Sequence, residues 1–365
     1  YDQMVANRVK PQTFNTLMDA CANGDGDLAM MEQWFVRMQR AGVRPDVVTY
    51  NTLLKGYARA GIQHPAEGLR TTRREGNTAK CQYFYDQMVA NRVKPNVQTF
   101  STLMDACVNG DGDLAMMEQW FGTMQAEGVR PDVVTYKQAA GVKPNVVTYS
   151  TLLKGYAREG NTAKCQYFYD QMVANRVKPN VQTFSTLMDA CVNGDGDLAM
   201  MEQWFVRMQR AGVRPDVVTY NTLLKGYARA GNNTAKCQYF HDQMVANGIK
   251  PNDQTFNTLM DACANDGDMT IMEQWFGRMQ AAGVKPNVVT YSTLLKGYAR
   301  EGNTAKCQYF YDQMVANRVK PDVQTFNTLM DAYANDGDMA LTEKWFSRMQ
   351  EAGLKPDVVT YNTLL

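Results

Sequence analysis

The feature that most constrains this chain is recurrence. The stretch Val146 to Asp216 holds two related motifs, and nearly all the rest of the 365 residues is a copy, a fragment or an interruption of them. The first motif, Val146 to Asn180, reads VVTYSTLLKGYAREGNTAKCQYFYDQMVANRVKPN. Its Tyr149, Leu152, Leu153 and Tyr156 fall at i, i+3, i+4 and i+7, which predicts one buried face of a helix. Gly160 breaks that pattern and Asn161 can cap a second helix, in which Cys165, Phe168, Tyr169, Met172 and Val173 repeat the spacing. Asn175 stands where a left-handed helix end is expected, and Gly212, Gly248 and Gly283 lie at or beside the corresponding place in other copies. Pro179 forbids continuation, and Asn180, or its equivalent Asp, can cap the next helix. The second motif, Val181 to Asp216, repeats this grammar with Phe184, Leu187 and Met188 in its first helix and Met201, Trp204, Phe205 and Met208 in its second. A hairpin of about 35 residues cannot bury both its faces, so copies must stack on one another. The expected fold is all-α, an α-solenoid of helix-turn-helix repeats of 35 to 36 residues that grows without a central core.

In chain order, residues 1–10 are the tail of a first-type motif, and Pro11 to Asp46 is a second-type motif lacking two residues at its entry. Val47 to Asn96 is first-type with about fifteen extra residues, near 60–74, between its helices. Pro65 with glycines and arginines makes that insert read as a solvent-exposed excursion, a place for a regulatory or binding loop. Val97 to Asp132 is second-type. Residues 133–145, VVTYKQAAGVKPN, begin like one motif and end like another with both bodies missing, a vestige too short for a hairpin. Lacking apolar surface to pass stacking onward, it predicts two blocks that melt separately. The order resumes with Val146 to Asn180, Val181 to Asp216, Val217 to Asn252, Asp253 to Asn287, Val288 to Asp322 and Val323 to Asp357, then the partial copy Val358 to Leu365. Both chain ends fall inside helical patterns and read as cuts through a longer array.

The 38 basic and 37 acidic residues leave a net charge of +1, so no global field advertises a polyanionic partner, and any nucleic-acid site must be a local groove. No long apolar run or charged-then-apolar leader appears, which argues against a membrane span and a signal peptide. The eight cysteines occupy two motif positions: Cys21, Cys107, Cys191 and Cys263 in first helices, Cys81, Cys165, Cys237 and Cys307 in second helices. Without a CxxC pair, and with only His64 and His241 as imidazoles, they read as small core residues in a reducing compartment rather than as disulfides or metal ligands. No metal or cofactor is expected.

At 100° per residue, Val147, Ser150, Lys154 and Arg158 share a stripe opposite the buried face. In a stack these stripes align into a groove. The second-type stripe is Gln182, Ser185, Asp189 and Asn193, whose aspartate weakens the positive potential. Val146 to Asn180 and Val288 to Asp322 are identical except at the last residue, Asn180 against Asp322. Across the array the fifth residue alternates between Asn (Asn15, Asn51, Asn221, Asn257, Asn327) and Ser (Ser101, Ser150, Ser185, Ser292). Equivalent caps and equivalent surface residues would explain both alternations. A reading code explains them as well, because Asn, Asp and Ser present different donors and acceptors.

VVTYSTLLKGYAREGN with a KPN or KPD ending resembles a pentatricopeptide repeat, and the resemblance covers nearly the whole chain. It implies a right-handed superhelix that binds single-stranded RNA, one base per repeat. The fifth and last residues of each motif would read a base edge, and the second residue, here Val48, Val147, Val218 and Val289, would pack on its face. Arg59, Arg158, Arg229 and Arg300 match the phosphate-facing position. Under the family's code Asn15/Asp46 implies uracil, Asn51/Asn96 a pyrimidine and Ser101/Asp132 guanine. Beyond residues 133–145, Ser150/Asn180 implies adenine, Ser185/Asp216 guanine, Asn221/Asn252 and Asn257/Asn287 pyrimidines, Ser292/Asp322 guanine and Asn327/Asp357 uracil. Second-type motifs carry glutamine at the second position and asparagine at the arginine position, both departures from the family's pattern. The family's tasks imply an organellar place, mitochondrion or plastid, in RNA processing, stability, editing or translation. The rival reading is a protein-binding scaffold of the tetratricopeptide kind, but its W-x2-L-G-x2-Y signature is missing. Nothing here resembles catalytic machinery, so the chain reads as no enzyme, with no small-molecule substrate and no membrane partner.

Overall fold

A computed structural model describes residues 10–23, 27–60, 70–109, 113–126 and 143–364, and among these residues every regular element is helical. The helices are α1 Pro11–Asn23, α2 Leu28–Arg40, α3 Val47–Ala60, α4 Arg70–Ala90, α5 Val97–Asn109, α6 Leu114–Ala126, α7 Val146–Arg158, α8 Thr162–Ala174, α9 Val181–Asn193 and α10 Leu198–Arg210. They continue with α11 Val217–Ala230, α12 Thr234–Ala246, α13 Asp253–Asp266, α14 Met269–Ala281, α15 Val288–Arg300, α16 Thr304–Ala316, α17 Val323–Asn335, α18 Met339–Glu351 and α19 Val358–Leu364. Odd-numbered helices open each motif and even-numbered ones close it.

The caps follow from the sequence. Asn145 accepts from the Thr148 backbone N–H at 3.1 Å while Thr148 Oγ1 accepts from the Asn145 N–H at 3.3 Å. This reciprocal box satisfies two amides that a helix start leaves without partners. The same box opens α11, α13, α15 and α17. Second helices such as α8 are capped by one side chain, Asn161 accepting from Lys164 N–H at 3.0 Å, whereas at α12 Asn233 makes no such bond. Their ends are Schellman turns: the Val177 N–H reaches Met172 O at 3.0 Å and the Arg176 N–H reaches Val173 O at 2.9 Å.

The left-handed residue of that turn is Arg176, at φ 58°, and not Asn175, at φ −80°. Asn175 is held instead by its side chain, whose amide donates to Tyr149 Oη at 2.8 Å and to Gln171 O at 2.9 Å. It thereby ties the end of a second helix to the start of its own first helix. Val173, expected on the buried face, is exposed, and the buried residues of α8 are Cys165, Phe168 and Met172. Seven of the eight cysteines are buried in the core as expected, and Cys21 is half-buried. Cys307 Sγ, for example, donates to Leu295 O at 3.7 Å.

The insert between α3 and α4 is not wholly an excursion. Residues 70–77 extend α4 by two turns beyond the point, equivalent to Thr162, where other second helices start. Residues 61–69 lie outside the described ones, as do 1–9 and 127–142.

The chain divides into two compact units, Tyr1–Ala190 and Cys191–Leu365. Within the first, α1, α3, α5 and α7 pack in succession, and within the second α11, α13, α15, α17 and α19 do the same. Stacking between motifs uses two alternating surfaces. Where a second-type motif meets the next first-type motif, Phe35 packs edge-on against Tyr50 at 5.8 Å and Phe84 at 5.7 Å. Beside them Glu32 accepts from Tyr57 and pairs with Lys80 at 2.9 Å. The cluster recurs as Glu118, Tyr156 and Lys164, as Glu202, Tyr227 and Lys236, and as Glu273, Tyr298 and Lys306. The four tyrosine hydroxyls are pushed above their ordinary range by burial and by the facing carboxylate.

Where a first-type motif meets a second-type motif, a tryptophan takes over. Tyr85 and Trp120 stand 4.6 Å apart, His241 and Trp275 4.7 Å, and Tyr311 and Trp345 4.6 Å. Each such aromatic contact contributes about 1 kcal/mol beyond the area it buries. The alternation of motif types is therefore also an alternation of two different interfaces.

Stacking also passes directly from α5 and α6 to α7 and α8, contrary to the expectation that residues 133–145 interrupt it. Phe121 meets Tyr149 at 5.8 Å and Phe168 at 5.7 Å, the spacing of the Phe35 cluster.

Candidate nucleic-acid interface

In five motifs the start of the next first helix brings the fifth and last residues together through a residue that the sequence pattern does not single out. The third residue of each motif, threonine in all copies, is fully buried at Thr49, Thr99, Thr148, Thr183, Thr219, Thr255, Thr290, Thr325 and Thr360. Its hydroxyl belongs to the capping box and in five copies also donates back to the previous motif. Thr49 Oγ1 donates to Asn15 Oδ1 at 2.8 Å, Thr99 to Asn51 at 2.8 Å, Thr255 to Asn221 at 2.7 Å, Thr290 to Asn257 at 2.8 Å and Thr360 to Asn327 at 2.7 Å. The signal that could have found it is the threonine recurring three positions after each Asn or Asp cap.

The other end of each fifth-position amide meets the last residue of its motif. Asn15 Nδ2 donates to Asp46 at 3.2 Å, Asn51 to Asn96 at 3.3 Å, Asn221 to Asn252 at 3.2 Å, Asn257 to Asn287 at 3.4 Å and Asn327 to Asp357 at 3.1 Å. The two residues inferred to act together are therefore in contact in five motifs. Burial pushes the Asp46 carboxyl up, but bonds from Thr49 and Asn15 outweigh it and hold the group below the usual carboxylate range. The backbone and hydroxyl of Thr360 likewise lower Asp357.

The fifth residue is less open than a surface stripe implies. Asn15, Ser101, Ser185, Asn221, Asn257 and Asn327 are buried, whereas Asn51, Ser150 and Ser292 are half-buried. Within each unit the fifth residues form a floor, and the last residues Asp46, Asn96, Asn180, Asp216, Asn252, Asn287, Asp322 and Asp357 are half-buried to exposed. A primary amide has two N–H donors and two lone pairs on oxygen, so these contacts leave it capacity toward the groove. The serines are shorter: Ser101 Oγ lies 3.4 Å from Thr148 Oγ1. Asp132 lies outside the described residues.

Beside each first-type floor stands an exposed valine. Val48, Val147, Val218 and Val289 are 53%, 51%, 55% and 53% accessible, a large apolar exposure repeated at one helical position. The cations are more engaged than expected. Lys55 pairs with Asp19 at 3.2 Å and Lys296 with Asp261 at 3.8 Å, so the second-type aspartate does offset the first-type lysine. Each arginine reaches the C-terminal end of the preceding first helix. Arg59 donates to Asn23 Oδ1, Arg158 to Val108 O at 2.8 Å, Arg229 to Asn193 Oδ1 at 3.3 Å and Arg300 to Asn265 Oδ1 at 2.8 Å. The second-type asparagine that replaces arginine is thus its partner in three of these pairs. A guanidinium has five donors, so holding a helix end and meeting a phosphate are compatible. Among the described residues no group of His, Cys, Asp and Glu could hold a metal ion, and no helix is long and apolar enough to cross a membrane.

Comparison with known proteins agrees with this geometry. The model of the PPR repeat family matches residues 9–59, 144–193, 215–265, 255–300, 286–335 and 321–365, and that of the pentatricopeptide repeat domain matches 69–110 and 83–138. A pentatricopeptide repeat-containing protein of Arabidopsis thaliana is 29% identical over 156 residues, covering 42% of this chain and 22% of that protein. A mitochondrial 15S rRNA processing factor of Yarrowia lipolytica is 29% identical over 113 residues, covering 30% of this chain and 12% of that one. The chain thus spans under a quarter of the length of these relatives. Among solved structures, a pentatricopeptide repeat protein in complex with an 18-nucleotide psaJ RNA element matches with a TM-score of 0.51 and 21% identity, covering 97% of this chain and 57% of that one.

Proposed function

Since the chain belongs to the pentatricopeptide repeat family, we propose that it binds single-stranded RNA in register, one base to each motif. The observation that carries this reading is the repeated contact of fifth residue, buried threonine and last residue. In five motifs it holds two polar side chains together at the same motif positions, and an exposed valine stands at the second position of every first-type motif. Rigid, evenly spaced donors and acceptors suit reading of base edges, and an apolar side chain suits packing on a base face. The residues assigned to the edges are Asn15/Asp46, Asn51/Asn96, Ser150/Asn180, Asn221/Asn252, Asn257/Asn287, Ser292/Asp322 and Asn327/Asp357. Val48, Val147, Val218 and Val289 take the base faces, and Arg59, Arg158, Arg229 and Arg300 the phosphates. The processing-factor relative and the family's habits favour a mitochondrial or plastid role in RNA processing, stability, editing or translation. The chain acts in this reading as a binder and not as a catalyst.

The test is binding to a random-sequence pool of single-stranded RNA and to the same pool as duplex. Preference for the single strand, weakening as salt rises, is the expected result, because a duplex hides the edges and phosphate contacts release counterions. Equal binding to both, or none at low salt, points to a protein-binding scaffold instead.

A further inference from the structure

Counting motifs along the sequence pairs Ser101 with Asp132, the last residue before the vestigial stretch. The contacts lead elsewhere. In five motifs the fifth residue accepts a hydrogen bond from the third-position threonine of the next first helix and also touches the residue that caps that helix. The threonine therefore identifies the partner. For Ser101 the threonine is Thr148, 3.4 Å away, on α7. The residue that caps α7 is Asn145, whose Oδ1 accepts from the Thr148 and Val147 backbone N–H groups at 3.1 and 2.9 Å.

Independent contacts place α7 as the helix that follows α5 in the stack. Lys164 pairs with Glu118 at 2.6 Å and Arg158 reaches Val108 O at 2.8 Å, contacts of the kind that join Lys236 to Glu202 and Arg229 to Val192. With α5 and α7 packed on each other, no further hairpin stands between them.

Resting on the RNA-binding reading above, we propose that Ser101 and Asn145, not Ser101 and Asp132, form the third reading pair. The nucleotide it reads directly adjoins the one read by Ser150 and Asn180, with none skipped for residues 133–145. The chemistry at that nucleotide changes accordingly. A carboxylate only accepts and suits guanine, which offers N1–H and N2–H donors, whereas the Asn145 amide both donates and accepts and suits adenine, which offers N1 as acceptor and N6–H as donor.

The experiment is selection from a random single-stranded RNA pool with the full chain and three variants: Asn145→Asp, Asp132→Asn and Asn180→Asp. Asp and Asn cap helices about equally, so each variant keeps its fold, which unchanged thermal melting verifies. The expected result is that Asn145→Asp shifts one selected position from adenine toward guanine by about fivefold, the worth of one net hydrogen bond. That position is the immediate neighbour of the one shifted by Asn180→Asp, and Asp132→Asn shifts none. A shift from Asp132→Asn, no shift from Asn145→Asp while Asn180→Asp shifts its own position, or a gap between the two shifted positions overturns the pairing and leaves the RNA reading intact. No shift from any variant, Asn180→Asp included, overturns the reading and the pairing with it.

Discussion

Asn221 and Asn252 are 31 residues apart in the chain, yet the Asn221 amide donates to Asn252 Oδ1 across 3.2 Å while its own oxygen accepts from Thr255 at 2.7 Å. One buried hydroxyl thus holds both members of a pair. It accepts from the Asn252 N–H at 3.1 Å and spends its single proton on Asn221. Removing it leaves a buried amide oxygen unpaired and half a capping box. Thr255→Val is nearly isosteric and should cost about 2 kcal/mol, the sum of a lost cap bond and an unsatisfied acceptor. Thr255→Ser should cost much less. Urea denaturation followed by the fluorescence of the five tryptophans checks this, and equal losses for the two variants would show that the hydroxyl anchors nothing.

Arginine at φ 58° is strained because its Cβ crowds the following carbonyl, a conflict worth about 1 kcal/mol that glycine avoids. Other copies place Gly212, Gly248 and Gly283 at this turn with φ of 69°, 73° and 73°. Arg176→Gly should therefore raise stability despite the extra freedom it gives the unfolded chain, and Arg92→Gly and Arg318→Gly should do so likewise. A lower melting temperature for the triple variant would contradict the account.

The glutamate clusters give stability a pH dependence of known sign. In Glu202 the bonds from Lys236 and Tyr227 exceed the opposing effect of burial and lower the carboxyl pKa. In Glu32, Glu118 and Glu273 burial is the largest single influence and raises it, but the tyrosine and lysine partners together prevail and the net shift is also downward. A carboxyl whose folded pKa lies below its unfolded value contributes stability that is fully present above the unfolded value of about 4.5. That contribution fades as pH falls through the folded value. Denaturation midpoints should hold from pH 7 to about 5 and drop below it. The drop should be shallower when all four glutamates are replaced by glutamine. A midpoint that rises on acidification, or an unaltered slope in that variant, would be the contrary result.

Burial pushes the thiols of Cys81, Cys237, Cys263 and Cys307 up to about 12, where almost no thiolate exists at neutral pH. Cys21, also raised by burial, is the one that is only half-buried. Iodoacetamide at pH 8 should label Cys21 first and the others only at the rate of local opening. Fast labelling of all eight would show that the core is not closed.

The sequence made the hairpins, the two motif types and the capping residues readable, because each depends on neighbours within a few positions. What it concealed lies across motifs. Nothing local announces that Tyr227 meets Glu202, or that the arginine of one motif holds the helix end of the one before. A helical wheel shows only its own helix and so puts the fifth residue on the exposed face, whereas Asn221 is buried and bonded to Thr255 of the next first helix. Asparagine tolerates the left-handed region, which makes Asn175 a candidate for it, but its amide instead reaches Tyr149 in the other helix of the hairpin. Counting along the chain pairs Ser101 with Asp132 and cannot see that the cap of the next stacked helix is Asn145, the contact on which the proposed pairing rests.

The most direct test of the central claim uses the two motifs that differ at one residue. Asp322 caps α17 by accepting from Thr325 N–H at 2.8 Å and Thr325 Oγ1 at 2.7 Å, as Asn180 accepts from Thr183 at 2.9 and 3.0 Å to cap α9. Asp322→Asn therefore preserves the fold and makes the two motifs identical. Selection from an RNA pool randomised at each nucleotide should show one position moving from guanine toward adenine by about fivefold, the worth of one net hydrogen bond, while every other position holds. An unchanged profile at all positions would mean that the last residue caps the helix and reads nothing.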